Sequence, residues 1–369
     1  MKRKTGIIVL SIVLVLLVVA LVIGLTGSET GRTIESKEIK IAYVSALSGE
    51  AGIWGQTFQR GFDFAIDEIN SNGGINGKLI KVIYEDDACD ATTGITAFNK
   101  VIDLDNVKII AGTVCSSVAM SVAKKTQENR VLYMASGATH PDVPKQGDLI
   151  FRMWVSDAYE AKEIAKYAVN TLELKKLAIA YFNDNPAGIA LKDNFKEEAE
   201  KNGAEITRIE SFTSENKDFR TALLKLMQDN PGAIYLAAVP EQTPLIVNQA
   251  RELGYEGVIL LYAPSALSEG VPEKILEKKD IYYASPILKK ETSFWQDYKA
   301  VTGEEADILV AGGYDSMKVL AYGLEKCGEN NECIRDSLLA LRNYQTTRGK
   351  ISYDNNGDLT NIAFEIKSL

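Results

Sequence analysis

The stretch Val107–Met120, VKIIAGTVCSSVAM, joins a short apolar strand to a helix through a loop of small and hydroxyl-bearing residues. The run VKIIAG is apolar and rich in β-branched residues, which is typical of a buried strand. Ser116 and Ser117 then stand where a helix begins, a position that favours serine. A strand that leads directly into a helix is the repeating unit of a parallel sheet covered by helices.

The same unit recurs on both sides of this stretch. Residues 39–47 form an apolar run, and the helix after it places four apolar residues on one face: Phe62, Ala65, Ile66 and Ile69. Beyond Asp157 the order restarts, and the apolar runs KLAIAYF, GAIYLAAV and VILLY alternate with amphipathic helices. The sequence therefore predicts an α/β chain with two doubly wound parallel-sheet units in series.

Composition excludes some partners. The chain has 369 residues, of which 46% are hydrophobic and 25% charged, as in ordinary globular proteins. Its length suggests about two domains. A formal net charge of −9 argues against nucleic acid, because binding phosphates requires a basic surface.

The N-terminal sequence has the pattern of a membrane-spanning segment. Three cationic residues, Lys2, Arg3 and Lys4, precede an uncharged run at 6–25 that is long enough to cross a bilayer of about 30 Å. We expect residues 1–31 to be an anchor and tether that hold the rest at the exterior face of the cytoplasmic membrane. A cleaved signal peptide, which would leave the chain periplasmic or secreted, is the alternative.

Four cysteines follow the anchor, and an even number outside the membrane suggests disulfides. Cys327 and Cys333 enclose a short polar loop and could pair locally, which leaves Cys89 with Cys115. Four free thiols in a reducing compartment are the alternative. The spacing fits no zinc pattern and the chain has a single histidine, so we expect no metal.

The sheet prediction also selects candidate binding residues, because ligands of open parallel sheets lie outside the carboxyl ends of the strands. Ser116 and Ser117 offer hydroxyls and free backbone N–H groups at a helix start, and the next loop adds Gly137, Ala138 and Thr139. Together these groups suit a carboxylate. The simpler alternative is that Ser116 only caps its helix.

Three further residues stand at such edges. Trp54 lies in a glycine-rich loop, where it could cover an apolar ligand group or merely pack. Asn185 and Tyr262 follow strands of the second unit. The acidic run EDDACD lacks the ligand spacing of a calcium loop, so we expect a solvated turn. Phosphate-binding glycine motifs are absent from the sequence, and we expect no cofactor.

A nucleophilic enzyme is the alternative to a binding site. Cys115 or Ser116 would need His140 as a base and a carboxylate to orient it. The sequence has no G-x-S-x-G motif, and nothing places a carboxylate behind His140. We therefore expect no catalytic residue.

Ten stretches in this order resemble one family: AYVSALSGEAGIWG, AIDEINSNGGINGK, YEDDACD, GTVCSS, residues 137–141, IFRMWVSD, DFRTALLKL, QARELG, GYDSMKVLAYGLEK and YDNNGDL. They are similar to the type I periplasmic binding proteins of ABC transporters, in the leucine/isoleucine/valine-binding branch. The likeness runs from about Ile39 to Ile366.

The resemblance implies two α/β lobes joined by three hinge crossings, with the ligand bound between them. The expected lobes consist of residues 39–155 with 286–343, and residues 156–285 with 344–369. The expected crossings lie near Met153–Ser156, Ala284–Leu288 and Asn343–Arg348. The disulfide of the family matches Cys89 with Cys115.

The resemblance also implies roles for site residues. Ser116, Gly137 and Thr139 match positions that hold a ligand carboxylate and part of its ammonium, and Trp54 matches an aromatic that packs on the ligand side chain. In the second lobe, Ala187 and Val239 stand where amino-acid binders usually have tyrosines.

The acid that pairs with a ligand ammonium in this family falls in the loop YAPS, at residues 262–265, which has no carboxylate. A buried ammonium without a counter-charge costs several kcal/mol. Asp184, Glu241 or another carboxylate substitutes for it, or the ligand has no ammonium.

By this resemblance the chain is expected to be a monomeric solute-binding protein that delivers a small carboxylate-bearing ligand to ABC permease subunits. A branched-chain or related amino acid, or an amide, is the expected ligand. The alternative is a ligand-sensing receptor of the same fold that is coupled to a signalling partner.

Overall fold

The computed structural model describes residues 38–213, 215–237, 242–267 and 270–369. The expected anchor and tether at residues 1–31 lie outside the described residues. Within the described ranges, every helix is too short or too polar to cross a membrane.

Fourteen strands lie in the described residues. In chain order they are β1 Ile39–Ser45, β2 Ile80–Asp86, β3 Ile109–Gly112, β4 Leu132–Ala135, β5 Ile150–Arg152, β6 Lys176–Phe182, β7 Glu205–Phe212, β8 Ala233–Ala237, β9 Val258–Leu261, β10 Ile281–Pro286, β11 Tyr344–Thr346, β12 Gly349–Tyr353, β13 Leu359–Thr360 and β14 Phe364–Ser368.

Twelve α-helices accompany them in the described part. They are α1 Gly52–Ser71, α2 Ala91–Asn99, α3 Ser116–Glu128, α4 Asp157–Lys166, α5 Pro186–Lys201, α6 Arg220–Met227, α7 Thr243–Glu252, α8 Ala263–Leu267, α9 Val271–Lys274, α10 Phe294–Thr302, α11 Ile308–Cys327 and α12 Asn331–Leu339. Helices α2 and α4 each end in a π-helical turn, at Lys100–Leu104 and Tyr167–Thr171.

The first lobe is built on a five-stranded parallel sheet in the order β2-β1-β3-β4-β5. Because side chains alternate along a strand, Ile39, Ile41 and Tyr43 join the core on one face of the sheet. Ala42 and Val44 join the core on the other face. Both faces of the sheet are therefore covered, as in a doubly wound fold.

The second lobe contains a six-stranded sheet in the order β14-β10-β9-β8-β6-β7. All its neighbouring pairs are parallel except β14 with β10. Phe182 and Leu177, both on β6, belong to cores on opposite faces. This sheet too is covered on both sides, which confirms the predicted α/β class.

Two glycines bring helices α1 and α11 into close contact. A Cβ atom on Gly61 would lie 1.8 Å from the Val310 carbonyl oxygen, and one on Gly313 would lie 1.8 Å from the Phe58 carbonyl oxygen. No other residue type fits at such a distance. This contact fixes α1, whose first turn carries Trp54, against the first lobe.

The chain passes between the sheets three times, and the third crossing differs from its predicted position. The first two follow β5 and β10, but Ile351, Tyr353 and Leu359 still pack in the first-lobe core. The chain reaches the second sheet only at β14, so the third crossing lies at residues 360–364, not at 343–348. The lobe boundaries otherwise remain predictions.

Both predicted disulfides are present. Cys89 and Cys115 are bonded with their Cα atoms 5.5 Å apart, and Cys327 and Cys333 with theirs 5.6 Å apart. The first bond ties the loop after β2 to the residue that precedes α3. It therefore lies directly behind the serines of that helix.

Candidate ligand-binding cleft

A cavity of about 730 Å³ lies between the two sheets. On the first-lobe side it is lined by Ile53, Trp54, Thr57, Phe58, Val114, Gly137, Thr139 and Trp154, among others. On the second-lobe side the lining includes Glu160, Tyr262, Ala263, Pro264, Val271, Lys274, Ser285 and Pro286. The volume is in the range of small-molecule sites.

Ser116 holds the loop of the first wall from behind. Its Oγ accepts hydrogen bonds from the backbone N–H groups of Thr139, at 3.2 Å, and His140, at 3.1 Å. The Ser116 side chain is not among the cavity-lining residues, whereas Thr139 is. The hydroxyl therefore positions the loop that faces the cavity.

A buried arginine supports the same loop from the other side. Arg152 is fully buried, and its Nη1 donates to the carbonyl oxygens of Thr139, at 2.7 Å, and His140, at 2.8 Å. Its Nε donates to Asp358 Oδ1 at 3.0 Å. The loop is thus fixed to β5 and to the turn before β13.

The apolar part of the first wall is formed by aromatic rings. Phe58 and Trp154 meet edge to face with their ring centroids 5.1 Å apart. Gly137 fits against them because it lacks a side chain: a Cβ there would lie 2.9 Å from Val114 Cγ1 and 3.2 Å from the Phe58 ring. Trp54, which is half-buried, completes this surface.

Two acidic residues stand at the start of α4 on the second wall. Asp157 is 1% exposed and Glu160 is 2% exposed, and Glu160 lines the cavity. The backbone N–H of Ala263 donates to Glu160 Oε1. Within the described part of the chain, neither carboxylate oxygen of Asp157 accepts a hydrogen bond of good geometry.

Burial governs the protonation of both acids. Desolvation raises the pKa of Asp157 to about 7, although the Thr139 hydroxyl, the Arg152 charge and the Tyr262 hydroxyl each lower it. Desolvation raises the pKa of Glu160 well above its usual range, and the neighbouring Asp157 adds to this increase. Without a cation between them, the two carboxyls are not both ionised at neutral pH.

Among the described residues, the walls meet at Thr139, whose carbonyl oxygen accepts from the Asp157 N–H at 3.0 Å. The Tyr262 hydroxyl donates to Thr139 Oγ1 across the cleft at 3.4 Å. Tyr262 follows β9 of the second sheet, while Thr139 follows β4 of the first. The buried acids of α4 therefore lie beside the point where the two walls meet.

The structure separates the predicted site residues into two groups. Trp54, Gly137, Thr139 and Tyr262 line the cavity. The others do not: Ser117 is exposed, Ala138 is fully buried, Ser116 lies behind the loop, and Asn185 caps α5 by accepting from Ala187 N at 2.9 Å. For all eight residues, a role in ligand binding remains a prediction.

Of the two acids named as replacements for the missing acid, only Asp184 lies in the described residues. Asp184 is exposed and is not among the cavity-lining residues. Val239 and Glu241 lie outside the described residues. Of the acids that line the cavity, Glu50, Glu160 and Asp307, only Glu160 is buried. Glu160 and its buried neighbour Asp157 were not predicted, because acids in a first helical turn are commonplace.

The structure gives His140 and the acidic run local roles. His140 Nδ1 accepts from Asp142 N at 3.2 Å, within its own loop. Asp86 accepts from Leu47 N at 2.8 Å, and Asp90 caps α2. Among the residues that the structure describes, no cluster of three metal-ligating side chains occurs.

Comparison with known proteins identifies the architecture. The family model described as "Periplasmic binding protein" matches residues 38–362. A leucine-, isoleucine-, valine-, threonine- and alanine-binding protein of Pseudomonas aeruginosa is 28% identical over 341 residues, 89% of each chain.

Two solved structures share the fold. A leucine-binding protein of Thermotoga maritima is 25% identical with a TM-score of 0.82, covering 90% of this chain and 95% of that one. A solute-binding protein of R. palustris, solved with 4-hydroxybenzoate, is 18% identical with a TM-score of 0.80, covering 90% and 93%, and shows the fold alone. These relatives are binding proteins, which agrees with the prediction that the chain is not an enzyme.

Proposed function

We propose, from the premise that the chain belongs to the periplasmic binding protein family, that it captures a free amino acid with an apolar side chain between its two lobes. It then delivers this ligand to an ABC permease. The family is extracytoplasmic, and residues 1–31 would tether the receptor at the outer face of the membrane.

The observation that carries the proposal is the pairing of opposite chemistries at one end of the cavity. Thr139 supplies a hydroxyl donor on the first wall, which suits a carboxylate, while the N–H groups of Gly137, Thr139 and His140 already donate within the first lobe. Glu160 supplies a buried acid on the second wall, which suits an ammonium. An amino acid presents both groups on neighbouring atoms.

Part of the remaining lining suits an apolar side chain, while charged residues also line the cavity: Glu50, Arg60, Lys274, Asp307 and Lys367. Trp54, Trp154 and Ile53 line it from the first lobe, and Val271 lines it from the second. Apolar walls with a few convergent polar groups are typical of small-molecule sites. The named relatives that bind leucine, isoleucine or valine are consistent with this ligand class.

The test is a thermal-shift panel on residues 32–369, since residues 38–369 form one compact unit. The panel contains leucine, isoleucine, valine, phenylalanine, basic and acidic amino acids, and the deaminated analogue of each apolar member. A ligand at about a thousand times its Kd adds about 4 kcal/mol of stability. We expect the apolar amino acids to give the largest rise in Tm.

Two outcomes would contradict the proposal. A rise with deaminated acids alone would make the protein a receptor for amine-free carboxylates. No rise with any member would exclude the whole ligand class. Fluorescence of Trp54 and Trp154, which both line the cavity, gives an independent signal of binding.

A further inference from the structure

We infer that Glu160 binds the ammonium group of the ligand. We infer also that this cation displaces a proton, which Glu160 and Asp157 hold in the ligand-free protein and which is released to solvent on binding. This inference rests on the proposed function and adds a specificity-determining residue to it. It also places the counter-charge on a helix start, and not in the loop at residues 262–265.

Geometry places Glu160 at the surface of the cavity. Glu160 is 2% exposed and yet lines the cavity, and its carboxylate is bound to Ala263, which lines the cavity as well. Its Oε1 is fixed by the N–H of Ala263, the first residue of α8. The acid is therefore oriented before any ligand arrives.

In this arrangement helix α4 supplies the acid, and the loop at residues 262–265 supplies a backbone N–H that binds it. In the sequence YAPS the loop cannot supply a charge, but its backbone N–H at Ala263 holds the charge that α4 supplies. The loop thus positions an acid that it does not carry.

No cation of the described chain neutralises the pair. In the described ranges, no lysine or arginine nitrogen lies within 4.0 Å of Glu160 or Asp157; Arg152 acts on Asp157 only from a distance and is itself paired with Asp358. Two buried carboxyls one helical turn apart then titrate as a coupled pair, and at least one of them stays protonated near neutral pH because both cannot ionise without a counter-charge.

Among the described residues, hydroxyl groups and one arginine face the pair, and Lys274 lines the cavity on the same wall. Tyr235 of β8 and Tyr262 after β9 face it from the second sheet, Thr139 faces it from the first lobe, and Arg152 approaches from β5. None of the tyrosines ionises near neutral pH, since burial raises the pKa of both. The exchangeable proton therefore belongs to the two acids.

Isothermal calorimetry with two probes tests the residue. Leucine and 4-methylpentanoate share a carbon skeleton and a carboxylate, and only leucine has an amine. We expect Glu160→Gln to weaken leucine binding by at least about 30-fold, the range for truncating one partner of a buried charge pair. Affinity for 4-methylpentanoate should stay the same or increase.

Glu163→Gln is the matched control. Glu163 lies on the same helix, is half-buried, and pairs with Lys166 at 2.8 Å outside the cavity. The same chemical change there should leave both affinities unaltered. Leucine binding that survives Glu160→Gln overturns the inference and leaves the proposed function standing. Failure of both probes on the natural chain removes the proposed function and the inference with it.

The release of the proton can be measured on the natural chain, without a variant. Leucine binding to the natural chain near pH 6.5, measured in buffers of different ionisation enthalpy, should release a fraction of a proton up to about one. Binding heats that do not depend on the buffer overturn the proton release. A smaller release in Glu160→Gln than in the natural chain supports it further.

Discussion

The two walls of the cleft satisfy their polar groups in different ways. On the first wall, the Ser116 hydroxyl and Arg152 hold the loop at residues 139–140 through four hydrogen bonds. On the second wall, Asp157 is buried without a hydrogen-bond donor of good geometry in the described chain. One wall is complete without a ligand, whereas the other is not.

This difference separates orientation from recognition. A wall whose donors are already fixed costs little to reorganise, so it can orient a carboxylate at once. A wall with buried acids is destabilised until a cation reaches it, so part of the binding energy relieves that cost. Substitutions in the first wall should therefore reduce stability, while those in the second should increase it.

The largest expected effect concerns the first wall. Arg152→Met leaves Asp358 and two loop carbonyls without their buried partner, and we expect a loss of about 3–5 kcal/mol in the free energy of unfolding. Urea denaturation measures the loss. Arg220→Met is the control, because the Arg220 side chain is 46% exposed and pairs with Glu252 at the surface.

A loss for Arg152→Met no larger than that for Arg220→Met would mean that the loop needs no support. The first wall would then resemble the second, and the comparison between them would fail.

The next effect has the opposite sign and concerns Asp157. The folded-state pKa of Asp157, about 7, lies above its unfolded value near 3.8, so the folded chain holds the proton more tightly. The stability that this gives is present below about pH 4 and is lost as the pH rises through 7. Asp157→Asn mimics the protonated acid and should stabilise the ligand-free protein by about 2–4 kcal/mol at pH 8.

Urea denaturation at pH 4 and pH 8 checks the sign. Most of the gain should be lost at pH 4, where the folded natural chain also carries a neutral side chain at this position and the unfolded acid is partly protonated. Asp193→Asn is the control, because the Asp193 side chain is 59% exposed. A destabilised Asp157→Asn at pH 8 would show that the second wall holds its acid ionised and paired.

The contrast between the walls also explains what sequence could predict. The first wall follows from local patterns: a strand, a serine at the helix start and a loop of small residues after the next strand. These patterns predicted that Gly137 and Thr139 bind a ligand; the structure shows that both line the cavity, and their role toward a ligand stays a prediction. The disulfide at Cys115 was equally accessible, from cysteine parity and chain order.

The second wall depends on tertiary contacts that no local pattern encodes. SDAYE is an ordinary helix start, and Ser156 does cap α4 by accepting from Ala158 N at 3.2 Å. Residues distant in the chain, among them Thr139, Tyr235 and Ala263, surround Asp157 and Glu160. The third crossing was misplaced for a similar reason, since a short strand such as Gly349–Tyr353, whose Ile351 and Tyr353 alternate with polar residues, fits the core of either lobe.

The smallest effect tests one of the contacts between the walls. Thr139→Ala removes the hydroxyl that accepts from Tyr262 at 3.4 Å and that faces the expected ligand carboxylate. We expect it to weaken binding of the best amino acid from the panel by about 1–2 kcal/mol, since a buried acceptor loses a neutral donor. Thr139→Ser keeps the hydroxyl and should restore most of this, whereas Ser117→Ala, at an exposed position, should change nothing. Equal affinities for Thr139→Ala and Thr139→Ser would show that the Thr139 hydroxyl does not bind the ligand, and orientation would then depend on the rest of the loop alone.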